Sequence, residues 1–482
     1  MKHKNTILLW ILMLCVGCNS QPDLMISSSG SISTEAVKAD KESAEIWPTN
    51  EWQEVETPEH VGWSAEKLDR AFAYAEVIGS AAIMIVDDGT VVDTWGDVTH
   101  NYQCHSMRKS LLSALYGIYV DEGKIELDAT LADLEIDDKN PLTEMEKEAT
   151  VIDLLEARSG VYLRAAGESD SMKASRPERG SHPPGTFWYY NNWDFNALGT
   201  IFDIFSGEEN IYQAFKKRIA DPIGMQDYRP KNKYTYESYS IHPYYGFRMS
   251  TRDLARFGLL FLREGRWDDE QIISFEWVHE STASHSERGQ DSGYGYLWWT
   301  GNGRGVFPHV LIKEQIYWAW GYNAHLVIVM PYRNLVIVHR ENTDQPNPPV
   351  ITEAQIGALL WMILDAAGDK DIGEPPPTIE FAAGKRLTAE EIYDTLAGST
   401  LSQRGPAGEV EVSLSRDGII SISLDSELVD DGTWWTEDDR LCVEFTKPEM
   451  GSGCVYVANN GTSVSLYDLS GFLTDEYTYR KE

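Results

Sequence analysis

Two apolar runs rich in β-branched residues, Leu326-Val327-Ile328-Val329 and Leu335-Val336-Ile337-Val338, are joined through Pro331-Tyr332-Arg333-Asn334, a hairpin pattern. A matching strand, tight turn and strand stand far upstream at Ala81 to Val86, Asp87-Asp88-Gly89 and Val91 to Trp95. Between them the apolar spacing is helical. Leu111, Leu112, Leu115, Ile118 and Tyr119 form one stripe, Thr150 to Leu155 opens a second helix that Ser159-Gly160 closes, and Phe195 to Phe205, Ile211 to Ile219 and Thr251 to Arg263 follow. Ile356, Leu359, Leu360, Ile363 and Ala367 make a closing stripe. Strands at both ends of one domain with helices between them predict an α+β fold: an antiparallel sheet covered by helices, with a helical insertion. That domain is expected over residues 47–370.

Both ends of the chain depart from this pattern. Met1 to Cys18 carries lysines at 2 and 4, an apolar run from Ile7 to Leu14 and small residues before a cysteine. It is too short to span a bilayer and is patterned as an export signal. Val16-Gly17-Cys18 resembles the lipobox of bacterial lipoproteins, with Cys15 where that pattern has Leu, so Cys18 is the expected lipidated N-terminus. Residues 1–18 are thus expected to be a leader, and the polar 19–46 a disordered tether. The expected setting is the periplasm or surface of a bacterium, with the membrane reached through the lipid.

Past the domain, Glu374-Pro375-Pro376-Pro377 predicts a linker over 371–386. Residues 387–482 show short strand patterns separated by Gly-rich turns, which predict a small antiparallel β domain of the kind that closes as a barrel. Export allows disulfides, and Cys442 and Cys454, flanking one strand–turn–strand pattern, are the expected bridge. Cys104 is expected to be a buried free thiol. With 41 basic against 76 acidic residues the net charge is −35, which repels phosphate polymers and argues against a nucleic-acid partner.

Chemistry is concentrated at His105-Ser106-Met107-Arg108-Lys109, where a hydroxyl and an amine three residues apart share one helical face. A serine in the first turn sits at the positive end of the peptide dipole, with its own N–H free to meet an oxyanion. A lysine one turn deeper is desolvated, which lowers its pKa and lets it take the serine proton. Further on, Trp188-Tyr189-Tyr190-Asn191-Asn192-Trp193 ends a long polar loop from Arg164 to Gly185. It offers a phenol whose pKa should fall beside a cationic lysine, and an amide that can orient a lysine or a substrate carbonyl. No His-Glu-x-x-His spacing, phosphate-binding Gly-Lys loop or Gly-x-Ser-x-Gly elbow occurs, so neither metal nor cofactor is inferred.

Ser106-x-x-Lys109, Tyr190-x-Asn192 and Ala319-Trp320-Gly321 together resemble the three ordered motifs of the penicillin-recognising serine hydrolases, in the branch of class C β-lactamases, D-aminopeptidases, esterases and aminohexanoate-dimer hydrolases. Tyr190 is chosen over Tyr189 by its distance to Leu198-Gly199. The resemblance implies a β-lactamase/DD-peptidase-like fold and an acyl-enzyme on Ser106. It further implies that Lys109 and Tyr190 share the proton, that Asn192 holds Lys109 or substrate, and that the Ser106 and Tyr322 N–H groups form the oxyanion hole. β-Lactamases and DD-peptidases carry Lys or His where this chain has Ala319, so a penicillin carboxylate loses a charge-assisted contact worth about 1.5–3 kcal/mol. Arg248 is the sequence candidate for a replacement cation. Six aromatics, Trp188, Trp193, Trp298, Trp299, Trp320 and Tyr322, crowd the expected cleft and suggest an apolar acyl or amine group in the substrate; the alternative is that half of them simply pack the core. The expected activity is amide or ester hydrolysis of a small molecule. The alternatives are a non-catalytic binding or sensor lipoprotein, which Ala319 favours, and a true β-lactamase or D-amino-acid peptidase.

Overall fold

The computed structural model describes residues 45–481 apart from 232, 290, 304–305, 346–347, 349, 377–384, 406–407, 438, 448–451, 460, 462 and 468–472. The leader, Cys18 and the tether as far as residue 44 lie outside the described residues. The chain divides into two compact units, one of them Ile46–Pro376.

In that unit, helix α1 (Ala65–Ile78) starts where the Ser64 side chain accepts from Lys67 N and stops at Gly79 in the left-handed conformation. Strands β1 (Ala82–Asp87) and β2 (Thr90–Gly96) follow as a hairpin. The chain then enters α2 (Arg108–Asp121), α3 (Asn192–Phe205) and α4 (Thr251–Leu262). It returns to the sheet through β3 (Ser286–Glu287), β4 (Ser292–Tyr294), β5 (Trp299–Gly303), β6 (Ile312–Gly321), β7 (His325–Met330) and β8 (Leu335–Arg340), and closes with α5 (Glu353–Ala366). The eight strands run β2-β1-β8-β7-β6-β5-β4-β3, antiparallel throughout. β1 lies beside β8 in the register Ala82↔Arg340 to Asp87↔Leu335, so the two hairpins seen in the sequence join into one sheet.

Strand residues alternate between two buried faces. Met84, Val86, Val327, Val329, Val336 and Val338 share a core with α2, α3 and α4. Ile83, Ile85, Leu326, Ile328 and Ile337 are equally buried on the other side. Helices α1 and α5, which pack on each other, lie outside that first core. Gly258 of α4 touches down on β7 and β8: a Cβ there would meet Val336 Cγ1 at 2.6 Å and Val327 Cγ1 at 3.0 Å. α2 is buried along nearly its whole length, Arg108 to Tyr119. The helix that carries the Ser-x-x-Lys motif is therefore interior.

The described part of the second unit starts at residue 385 with a two-residue strand and α6 (Ala389–Leu396), which a Thr388/Glu391 capping box opens. Eight strands follow: β9 (Ser399–Gly405), β10 (Gly408–Leu414), β11 (Ile419–Leu424), β12 (Glu427–Glu437), β13 (Arg440–Phe445), β14 (Ser452–Asn459), β15 (Ser463–Tyr467) and β16 (Leu473–Lys481). Each pairs antiparallel with the next, and β16 returns to β9 at Ser399↔Lys481. The result is a closed eight-stranded up-and-down barrel, an arrangement that leaves no sheet edge. Leu401, Leu414, Ile420, Trp434, Leu441, Val457 and Val464 form its core with Ile392 and Leu396 of α6. Cys442 of β13 and Cys454 of β14 are register partners and form a disulfide.

Candidate active site

Ser106 lies in a single 3-10 turn, His105–Met107, that runs straight into α2. His105, immediately before it, has φ +46°, a conformation costly for a non-glycine residue and typical of backbone held by its surroundings. Side-chain contacts hold it: the ring bonds Thr343 Oγ1 through Nε2 at 2.7 Å, and it packs on His325 at 5.1 Å between centroids. Lys109, 1 % exposed, donates from Nζ to Ser106 Oγ at 2.7 Å. The same nitrogen lies 4.7 Å from the Tyr190 ring centroid and 4.8 Å from that of Phe195. Burial, with the neighbouring Arg108 charge adding to it, drives the Lys109 pKa well below the usual lysine range. A neutral amine within bonding distance of a serine hydroxyl can accept its proton.

Tyr190 stands two residues before α3, on the stretch that Asn191 caps by accepting from Trp193 N. Of the adjacent tyrosines, Tyr190 is the one that Lys109 faces; Tyr189 Oη donates to Met172 O at 2.7 Å. The expected fall in the Tyr190 pKa is not found. Burial pushes the phenol up to about 12, with the Ser106 hydroxyl and more distant cations offsetting only part of the shift. The lysine that was to favour a phenolate is itself desolvated, so Tyr190 is a neutral phenol. Of the two expected partners of Asn192, Lys109 is not hydrogen-bonded to it, since Nδ2 donates to Gly167 O at 2.7 Å, which leaves the substrate. Asn192 Oδ1 is buried with no donor, an acceptor left open.

The third segment ends β6. Ala319 is buried, Trp320 partly so, and Gly321 closes the strand opposite His325. A Cβ on Gly321 would sit 2.6 Å from Cys104 O and 3.3 Å from His105 Cβ, so only glycine lets β6 press against the turn that bears Ser106. Tyr322 follows, a residue 62 % exposed, with its ring edge-on to His105 at 5.6 Å. Among the described residues, neither the Ser106 nor the Tyr322 N–H donates to a turn or loop carbonyl.

A family model described as Beta-lactamase matches residues 66–360. The chain belongs to the beta-lactamase family. Among solved structures it is similar to the octameric penicillin-binding protein homologue from Pyrococcus abyssi, with a TM-score of 0.50 and 17 % identity over 86 % of this chain and 98 % of that one. A class C beta-lactamase mutant matches with TM-score 0.48 and 13 % identity over 63 % of this chain and 98 % of that one. A Bacillus anthracis protein described as a 6-aminohexanoate-dimer hydrolase gives 0.47 and 19 % over 61 % of this chain and 80 % of that one. Among curated proteins none matches. This beta-lactamase-family chain therefore carries the family's serine hydrolase fold, followed by the barrel.

Against the family pattern the cations of the cleft are redistributed. Ala319 leaves the Gly321 end of β6 without one, and the Arg248 guanidinium is engaged elsewhere: it pairs with both carboxylate oxygens of Asp344, and Nε donates to Asn101 O at 3.0 Å. Arg288, which no motif or periodicity in the sequence singled out, lies over the rings of Trp299 and Trp188 at 4.2 and 4.7 Å. The six aromatics separate into two kinds. Trp193 and Trp298 are core, the first donating to Asp138 Oδ2 at 2.8 Å and the second stacked on Phe257. Trp188, Trp299, Trp320 and Tyr322 keep exposed surface, and Tyr190 stacks on Trp299 at 5.3 Å.

Proposed function

We propose that the protein hydrolyses an amide or ester bond of a small molecule through an acyl-enzyme on Ser106. The observation that carries this is the buried, desolvated Lys109 amine 2.7 Å from the Ser106 hydroxyl. In this reading Ser106 Oγ attacks the carbonyl carbon while its proton passes to neutral Lys109. The Ser106 and Tyr322 N–H groups receive the developing oxyanion. Tyr190, a phenol at neutral pH, donates its proton to the departing amine or alcohol and is reprotonated from Lys109. Water then attacks the acyl-enzyme, giving its proton back through the same pair as Ser106 Oγ leaves. The open acceptor on Asn192 suits a substrate N–H. Ala319 speaks against efficient β-lactam turnover, which needs a grip on the ring carboxylate.

Labelling the purified protein with a fluorophosphonate, followed by mass mapping and assays on nitrophenyl esters, nitrocefin and an aminohexanoate dimer, tests the reading. An adduct on Ser106 with ester or amide turnover, both lost in Ser106→Ala, is expected. Folded protein that takes no label and turns nothing over would establish the second reading, a binding lipoprotein, for which Ala319 is the supporting observation.

We also propose export and a lipid anchor on Cys18, supported by the leader pattern and by the Cys442–Cys454 disulfide, which forms and persists in an oxidising compartment. Metabolic labelling with an alkynyl fatty acid should mark the wild type and spare Cys18→Ala.

A further inference from the structure

Arg288 follows β3 in its hairpin with β4, its own N–H bonded to Ser292 O at 2.8 Å. The guanidinium lies across two indole faces, Trp299 at 4.2 Å and Trp188 at 4.7 Å. Trp299 stacks on Tyr190 with 29° between the planes, and Tyr190 in turn presents its face to Lys109 Nζ at 4.7 Å. A cation is therefore held two stacked rings away from the Ser106–Lys109 pair. It is also within electrostatic reach of Tyr190.

Its donors are free. Among the described residues no carboxylate lies within ion-pair distance of the Arg288 guanidinium and no acceptor takes a hydrogen bond from it, although Glu353 in the first turn of α5 is close enough to be felt. Arg248 shows the contrast, since Asp344 closes its fork. Ring faces hold the guanidinium without using its N–H groups, and those donors can grip a carboxylate with two parallel hydrogen bonds. A cation whose donors have no partner among the described residues gains most from an anionic ligand.

We infer that Arg288 reads a carboxylate on the substrate, so that the compounds hydrolysed are amides or esters that also carry a carboxylate lying along the Trp188–Trp299 wall. This rests on the Ser106 acyl-enzyme reading.

Two matched substrate pairs test it in steady-state kinetics. 4-Nitrophenyl hydrogen glutarate against 4-nitrophenyl valerate places the carboxylate on the acyl side; 3-carboxy-4-nitrophenyl valerate against 4-nitrophenyl valerate places it on the leaving group. In one pair the wild type should prefer the anion, through KM. Arg288→Ala should lower that preference about 10- to 100-fold, with Arg288→Lys between the two, because a point charge keeps attraction but loses the fork. Equal losses on the anionic and neutral members would show that Arg288 only props the tryptophans, and an unchanged preference in both pairs would overturn the inference directly. Wild-type turnover of valerate with no Arg288-dependent preference removes the carboxylate reader alone. Absence of turnover together with absence of fluorophosphonate label on Ser106 removes the hydrolase reading and this inference with it.

Discussion

Lys109 Nζ stands 2.7 Å from Ser106 Oγ with aromatic faces, Tyr190 and Phe195, as its other neighbours and, among the described residues, no carboxylate paired with it. Burial disfavours the ammonium form there, and the Arg108 charge adds to the effect. The pair is tuned by what is missing as much as by what is present.

Lys109 should therefore cost stability where it supplies chemistry. Its folded-state pKa is lowered while the unfolded chain titrates near 10.4, so between the two values the unfolded state binds more protons and stability rises with pH. Lys109→Met is expected to abolish ester turnover yet raise Tm at pH 7 by about 2–4 °C for each kcal/mol regained, a gain that shrinks toward pH 10. Calorimetry from pH 6 to 10 checks it; a variant less stable at pH 7 would refute the neutral-amine assignment.

Tyr190 should show no titration in the working range. With the phenol near 12, kcat/KM is expected to rise through the Lys109 pKa and then stay level to at least pH 10. Tyr190→Phe should lower kcat about 10²- to 10⁴-fold without moving the rising limb. Loss of that limb in the phenylalanine variant would show that Tyr190 is the base.

Gly321→Ala tests how tightly β6 is pressed on the serine turn. The new methyl meets backbone, Cys104 O at 2.6 Å, which cannot swing aside as a side chain would. Overpacking of this kind costs about 1–3 kcal/mol, and displacement of the Tyr322 N–H should lower kcat with Ser106 and Lys109 intact. Wild-type kcat and Tm in this variant would contradict the contact.

Arg248→Ala should leave ester kinetics within about twofold, because its guanidinium is paired with Asp344, and should lower stability by no more than about 1 kcal/mol for so exposed a pair. Arg248 holds the Asp344 carboxyl down to about 2. The stabilisation is thus fully present above the unfolded pKa of about 4 and fades as pH falls toward 2. Denaturant melts of both proteins at pH 7 and pH 2.5 should differ at the first and converge at the second.

Replacing both Cys442 and Cys454 by Ala opens a crosslink of sequence separation 12 and should lower the stability of the barrel by about 2–3 kcal/mol. Scanning calorimetry with and without a reducing agent checks it: reductant should bring the wild type to the variant's transition.

Most of the first unit is legible in the primary structure because its signals are local. The 81–95 and 326–338 hairpins and the stripes of α2, α4 and α5 repeat with the period of the element they form. Barrel strands β9 and β16 carry no such periodic signal. Ser399 to Gly405 and Leu473 to Lys481 are mostly polar, and their strand character comes from pairing across the barrel seam at Ser399↔Lys481, a contact between the two ends of the unit. For α6 the Thr388/Glu391 capping box was the available signal.

At the candidate site the same division holds. The Ser106–Lys109 spacing, the glycine at 321 and the absence of a cation at 319 belong to the sequence alone, since three residues of helix bring a hydroxyl and an amine together in any fold that forms the helix. Protonation and charge placement belong to the tertiary structure. Tyr190 remains a phenol because burial outweighs its cationic neighbours, Arg248 is closed by Asp344 ninety-six residues away in the chain, and Arg288 reaches the cleft by lying on Trp299. Desolvation and Coulomb energies depend on which side chains the fold brings within a few ångströms, and no local pattern encodes that.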